Sequence, residues 1–218
     1  MFRIDLHNHT SYGSACAYMT PDELIQRAKL MRLDGVCITE HNQLWSEETL
    51  DKWRRKHDFL VLGGAEVDTD CGHILVFGLH KSVLNVYRVE ELRELVDEAG
   101  GVMIAAHPFR YVLFDHFNHV NHVVSVEEAS KRPVFQFVDA VEVYGSMSSV
   151  TEGNLAAQVS DYLKLGATAG SDSHAILQVG QCFTIFENRI GSEQELIAEI
   201  KQGRCRAAQR NSRFTPAI

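Results

Sequence analysis

Histidines and carboxylates recur in this chain beside short apolar runs, and that placement limits the available folds more than any other feature. The instances are His7 and His9 in Asp5-Leu6-His7-Asn8-His9, His41 in Thr39-Glu40-His41, Glu66 after Gly63-Gly64, and His73 before an apolar run. His107 in Ala106-His107-Pro108 and the pair Asp172 and His174 in Gly170-Ser171-Asp172-Ser173-His174 complete the set, with Glu40 a weaker member. Imidazole and carboxylate groups at the ends of successive parallel strands are how a barrel gathers a polynuclear metal site from distant parts of a chain.

The segments between these residues alternate between strand and helix character. Phe2–His7, Val36–Thr39, Phe59–Leu62, Ile74–Phe77, Val102–Ala106, Asp139–Val143, Ala167–Ala169 and Phe183–Phe186 read as strands, several of them apolar throughout, as a sheet covered on both faces requires. Thr20-Pro21-Asp22-Glu23 opens a helix with an N-cap, a proline at the first helical position and a capping box. Further helices are expected from Ser46 to His57, Val89 to Ala99, Ser125 to Lys131, Thr151 to Lys164 and Ser192 to Gln202. The pattern predicts an α/β fold with a mostly parallel sheet closed into a barrel, with all 218 residues in one domain. That is slightly short of the ~250 residues of a full eight-stranded barrel.

Composition narrows the function classes. A 45% hydrophobic fraction with 23% charged residues suits a globular chain. No apolar run approaches the ~20 residues of a membrane span. The N-terminus enters a strand at once, leaving no room for a signal peptide, so the expected compartment is the cytoplasm. Five cysteines without a Cys-x-x-Cys spacing speak against a disulfide framework or a thiolate zinc finger. A net charge of −8 without a basic run makes long nucleic acid a poor partner. A phosphorylated substrate stays open, because bound cations supply a local positive field.

Residue by residue, the His-x-His pair is the most specific signal: alternate strand positions share a face, so His7 and His9 project together, with Asp5 on the same side. Asp172-x-His174 repeats the spacing. Core histidines held by hydrogen bonds are the alternative for each pair alone. Glu66 is read as a carboxylate partnered by a cation, or as a solvated turn residue; His73 as a ligand close to Glu66, or as the cap of a strand. Glu40 points away from His41 and suits a structural hydrogen bond. Arg110, three residues beyond His107, is a candidate phosphate clamp or a solvated loop arginine. Glu142 either supports a ligand histidine or is an ordinary core polar group. Residues Tyr111 to Val124, with His116, His119 and His122, read as a lid without a clean periodicity.

Taken together and in order, these motifs resemble the polymerase and histidinol phosphatase (PHP) domain family over nearly the whole chain. The resemblance implies a distorted (β/α)7 barrel, TIM-barrel-like, with two or three divalent metal ions (zinc, manganese or iron) at the C-terminal face of the strands. It implies one metal on His7, His9, Glu66 and Asp172, a second on Glu66, His73 and His107, and a third on His41 and His174. Many members carry a further Asp or His just after the His-x-His motif; here Thr10 to Cys16 has neither, and Cys16 is the one soft candidate.

The implied activity is phosphoester hydrolysis of a small phosphorylated metabolite or nucleotide by metal-activated hydroxide, with Arg110 on the phosphate and His174 near the leaving group. Phosphate or sulfate would be expected to occupy such a site. Two other classes remain: carbon–nitrogen hydrolysis of the amidohydrolase type, and a metal-stabilised module without catalysis that supports a partner protein.

Overall fold

The computed structural model describes residues 1–111, 114–115, 120–121 and 124–210. Its strands are β1 (Phe2–Asp5), β2 (Gly35–His41), β3 (Leu60–Thr69), β4 (Gly72–Phe77), β5 (Val102–Ala105), β6 (Phe114–Asp115), β7 (Val120–Asn121), β8 (Ala140–Tyr144), β9 (Gly166–Ala169), β10 (Cys182–Phe186) and β11 (Cys205–Gln209). The helices are α1 (Pro21–Leu30), α2 (Glu47–His57), α3 (Val89–Glu98), α4 (Val126–Ala129), α5 (Val150–Leu163) and α6 (Glu193–Lys201). The expected lid falls mostly outside the described residues, His116, His119 and His122 among them; β6 and β7 within it pair as a short antiparallel ladder.

Nine strands form one mixed sheet in the order β11-β10-β1-β2-β3-β4-β5-β8-β9. β1, β2 and β3 run parallel, as do β5, β8 and β9. The links β3/β4, β4/β5, β1/β10 and β10/β11 are antiparallel. The two halves approach through a side chain rather than a ladder: Thr184 Oγ1 on β10 donates to Ala169 O on β9 and accepts from Ala169 N, both at 2.9 Å. The result is a nearly closed barrel, and it corrects the expected seven-fold strand–helix alternation.

Two local causes explain the correction. Only Asp70 and Cys71 separate β3 from β4, a link that fits an antiparallel hairpin, whereas a parallel return needs a crossover of roughly a dozen residues. Thr69 Oγ1 closes the turn by donating to Gly72 O and accepting from Cys71 N, and Gly72 holds a φ of +109°. β3 itself runs through Gly63-Gly64 instead of ending there, and residue 64 must be glycine because a Cβ there would lie 2.6 Å from the Phe77 ring of β4. The second cause is β11: Cys-Arg-Ala-Ala-Gln is half-exposed and polar enough to leave no apolar strand signature.

Helices cover the sheet where the sequence supplies apolar faces. α1 and α2 pack Leu24, Ile25, Ala28 and Leu50 on Val36, Ile38 and Val61. α3 and α5 pack Leu92, Val96, Leu155 and Val159 in one cluster with Met103 and Val141. Each buried leucine, isoleucine, valine or methionine among them contributes ~1.5–3 kcal/mol against the cost of ordering the chain. The capping box of α1 forms as expected, Thr20 and Glu23 exchanging bonds ahead of Pro21. Among the described residues no helix is long and apolar enough to cross a membrane.

Candidate metal centre

The sheet register brings the ligand-type residues to one end of the barrel. His41 ends β2 and lies opposite Glu66 within β3. His107 follows β5, and Asp172 and His174 follow β9. β4 runs against its neighbours, so its first residues reach the same end, which is why His73 precedes its apolar run instead of following it. Beyond β1, the His7–His9 segment pairs with the Asp172–His174 segment: His9 N donates to Ser173 O at 3.0 Å, and Asn8 bridges to Ser173.

Three ligand sets share members. In the innermost, His7 Nε2 and His9 Nε2 are 3.1 Å apart. Glu66 Oε2 lies 3.3 and 3.2 Å from those two nitrogens, and Asp172 Oδ1 lies 3.4 and 3.2 Å from them. All four residues are buried. Five of the six separations among these donors are 3.1–3.4 Å, the spacing of atoms that lie ~2.0 Å from a shared zinc-sized cation. In the second set Glu66 turns its other oxygen, Oε1, to His73 Nδ1 at 2.8 Å and His107 Nε2 at 2.9 Å. The third joins His9, His41 and His174; the His9 ring lies 4.4 Å from that of His41 and 4.6 Å from that of His174. His41 Nδ1 is also 3.2 Å from Glu66 Oε2.

A second layer fixes which nitrogen of each ring faces the cluster. Glu142 Oε1 lies 3.0 Å from His7 Nδ1, an acceptor for a proton on that nitrogen that leaves Nε2 facing the cluster. Glu142 Oε2 accepts from His107 N at 3.0 Å. The Ser14 hydroxyl plays the same part for His9, 3.3 Å from its Nδ1, while donating to Glu40 and accepting from His41 N. Glu40 is taken up by Thr10, Ser14 and Trp45 and joins no ligand set among the described residues, which suits a structural role. Asp5 accepts from Ser171 N and Gly180 N and anchors the Asp172 loop. Cys16 is exposed and belongs to no ligand set among the described residues.

Converging lone pairs repel unless a proton or a cation lies between them. Burial disfavours charge on His7, yet the Glu142, Asp172 and Glu66 carboxylates outweigh it and hold His7 well above the ordinary histidine value. His9 is also raised, against its burial, through hydrogen bonds to Asp172 and Glu66. Despite burial, Glu66 and Asp172 stay well below the carboxylate range, both chiefly because of His7. Burial moves His41 and His174 the other way, downward, toward the neutral form that ligates metal. Burial also lifts Asp5 to about 6. The donor set therefore fits divalent cations, which would take the place of the protons.

Strain gathers here too. His107 and Asp172 hold φ of 29° and 47°, a left-handed conformation costing ~1–3 kcal/mol in a non-glycine residue and typical of functional sites. Arg110 Nη2 forms an ion pair with Asp172 Oδ2 at 2.6 Å, and Arg110 Nε has no hydrogen-bond partner among the described residues. Sequence reasoning missed Ser14, since a lone serine carries no ligand signal; only its position between His9 and Glu40 in space reveals its part.

Comparison with known proteins agrees with this arrangement. Residues 151–205 match the family model described as PHP-associated. The uncharacterized protein MJ1587 of Methanocaldococcus jannaschii is 28% identical over 116 residues, 49% of this chain and 68% of that one. Among solved structures, a two-domain Bacteroides vulgatus protein described as containing a predicted PHP-like metal-dependent phosphoesterase superposes with a TM-score of 0.70 at 18% identity, covering 95% of this chain and 64% of that one. An amidohydrolase from Chromobacterium violaceum, with bound sulfate and no metal, gives 0.64 at 16% identity, covering 94% and 97%. At these identities the structural likeness establishes the fold alone.

Proposed function

We propose that the chain is a PHP-type metal-dependent phosphoesterase acting on a small phosphorylated metabolite or nucleotide, a reading supported by the PHP-associated match at residues 151–205. Zinc, manganese or iron would occupy two or three of the ligand sets. One observation carries this reading: Glu66 divides its two oxygens between the inner histidines and the His73–His107 pair, the arrangement a bridging carboxylate needs. When bound, the cations supply Lewis acidity toward phosphoryl oxygens and an activated water.

The protein's own groups do the rest. Glu142 and Ser14 hold His7 and His9 in the ligating tautomer. The Arg110 guanidinium, held at Asp172 with its Nε–H unpartnered among the described residues, is a phosphoryl-binding donor. His174 stands neutral at the mouth, able to ligate an outer cation or to lie beside the departing oxygen. The sulfate in the C. violaceum structure supports oxyanion binding on this fold, while that protein's description as an amidohydrolase supports carbon–nitrogen hydrolysis as a second reading.

The test is a panel of phosphomonoesters, phosphodiesters and cyclic or linear amides, given to protein loaded in turn with zinc, manganese and iron. Phosphate release or diester cleavage that a chelator abolishes is the expected result. Turnover confined to the amides would replace the phosphoesterase reading with the amidohydrolase one.

A further inference from the structure

A cavity of about 310 Å³ opens beside the His73–His107 pair, and its wall includes Cys71, Arg110, Tyr111 and Arg132. Two guanidinium groups thus line one cavity, while no carboxylate lines it among the described residues. Arg110 already stands at Asp172. Arg132 differs: it is half-buried, donates to Pro108 O, and sits with Cζ 5.6 Å from the centre of the Phe109 ring, with no ion-pair partner among the described residues. A partly buried cation without a counter-ion is costly, and a carbonyl on one side with a ring face on the other holds this one in place. Its planar fork is matched to phosphate and carboxylate oxygens.

We infer that Arg132 receives a second anionic group of the substrate, a phosphate or a carboxylate, and so selects doubly anionic phosphoesters. The inference rests on the phosphoesterase reading. The reaction itself is unaltered: one water is consumed, the P–O ester bond breaks, the departing alcohol takes the proton, and the second anion leaves with it unchanged.

The test uses metal-loaded protein and three-carbon substrates that share a C2 hydroxyl and differ at the second group. Glycerol 3-phosphate has no second anion, 3-phosphoglycerate has a carboxylate, and glycerol 1,3-bisphosphate has a phosphate. One or both doubly anionic substrates should exceed glycerol 3-phosphate in kcat/KM by about ten-fold or more, the worth of a charged hydrogen bond, and their ranking tells which group is bound. Arg132→Ala should reduce that preference to about two-fold or less, and Arg132→Lys should keep part of it. A preference absent from the wild type, one that survives Arg132→Ala, or an equal fall across all three substrates overturns the assignment. If no substrate releases phosphate, calorimetry with 1,3-propanebisphosphonate and propylphosphonate decides separately. Selective loss of the bisphosphonate in Arg132→Ala would keep the anion site while the hydrolysis reading fails, and equal loss of both would end both.

Discussion

The inner and outer ligands of this centre live in different surroundings. The side chains of His7, His9, Glu66 and Asp172 are at most 2% exposed, whereas those of His174, His41 and His73 are 26, 30 and 42% exposed. Inside, Glu142 and Ser14 fix the ring tautomers. Outside, the partners are local: His174 Nδ1 meets Asp172 O at 3.1 Å, and His41 and His73 lean on Glu66 and the half-exposed Asp68. Charge interactions are stronger where water is excluded, and supported imidazoles do not have to reorganise to bind. Tight metal retention is therefore expected inside and exchangeable binding at the rim.

The strongest way to break this contrast is Glu66→Gln. A neutral amide offers one acceptor where the carboxylate faces two ligand sets, so activity should fall more than about 100-fold, beyond the usual cost of losing a supporting partner. Bound metal, measured by elemental analysis, should drop in both the inner and the His73–His107 sets while the thermal transition stays cooperative. Full metal content and activity would remove Glu66 as a bridge.

Glu142→Gln probes the support behind the inner set. The carboxylate accepts from both His7 Nδ1 and His107 N, and the amide can satisfy only one of them. Metal affinity should weaken about 10–100-fold, read by competition with a chromogenic chelator. His174→Ala should act only at the rim: one metal equivalent lost early in a chelator titration, the remainder held as in the wild type. Equal retention of every metal through the titration would mean that burial does not grade the centre.

Much of this centre was legible because ligand chemistry is encoded in residue type and in proximity to a strand. His7, His9, Glu66, His73, His107, Asp172 and His174 each sit next to an apolar run, and the chain had few other uses for them there. What the sequence concealed depends on pairing. The β3–β4 hairpin hides behind a Gly63-Gly64 that looks like a strand's end and an Asp-Cys-Gly turn weaker than Asn-Gly. Near-closure by Thr184 is a side-chain bond with no periodicity to betray it. Glu142 showed two readings, since its role turns on which face of β8 meets His7. Ser14 fell inside the Thr10–Cys16 stretch, conspicuous only for lacking a ligand.

Acid–base behaviour sharpens the contrast further. In metal-free protein His7 and His9 are raised, so their contribution to stability is full below ~6.5 and disappears as pH climbs through their folded values. Glu66 and Asp172 are depressed, so their contribution holds above the ordinary carboxylate range and is lost only in acid. Bound cations replace the histidine protons, so the rise in Tm on adding metal should widen by a few degrees between about pH 6 and about pH 8. A calorimetric difference that is flat across that interval would show that the histidines are not the protonated partners in the free protein.

The smallest effect asks whether the inner and outer sets are joined through one hydroxyl. Ser14 Oγ donates to Glu40, which leaves its lone pairs for His9 Nδ1–H on the inner side and His41 N–H on the outer side. Ser14→Ala removes both of these bonds together with the one to Glu40, so His9 loses the partner at its Nδ1 while the end of β2 loses a tether. Each neutral hydrogen bond is worth only ~1 kcal/mol net, so metal retention should weaken by about five-fold, far less than in Glu142→Gln, where the lost acceptor is charged. Because His9 belongs to both sets, the loss should appear in the early and late phases of a chelator titration alike. A change confined to the early, rim-held metal would place Ser14 with His41 alone and leave the His9 tautomer to be fixed by the cation it binds.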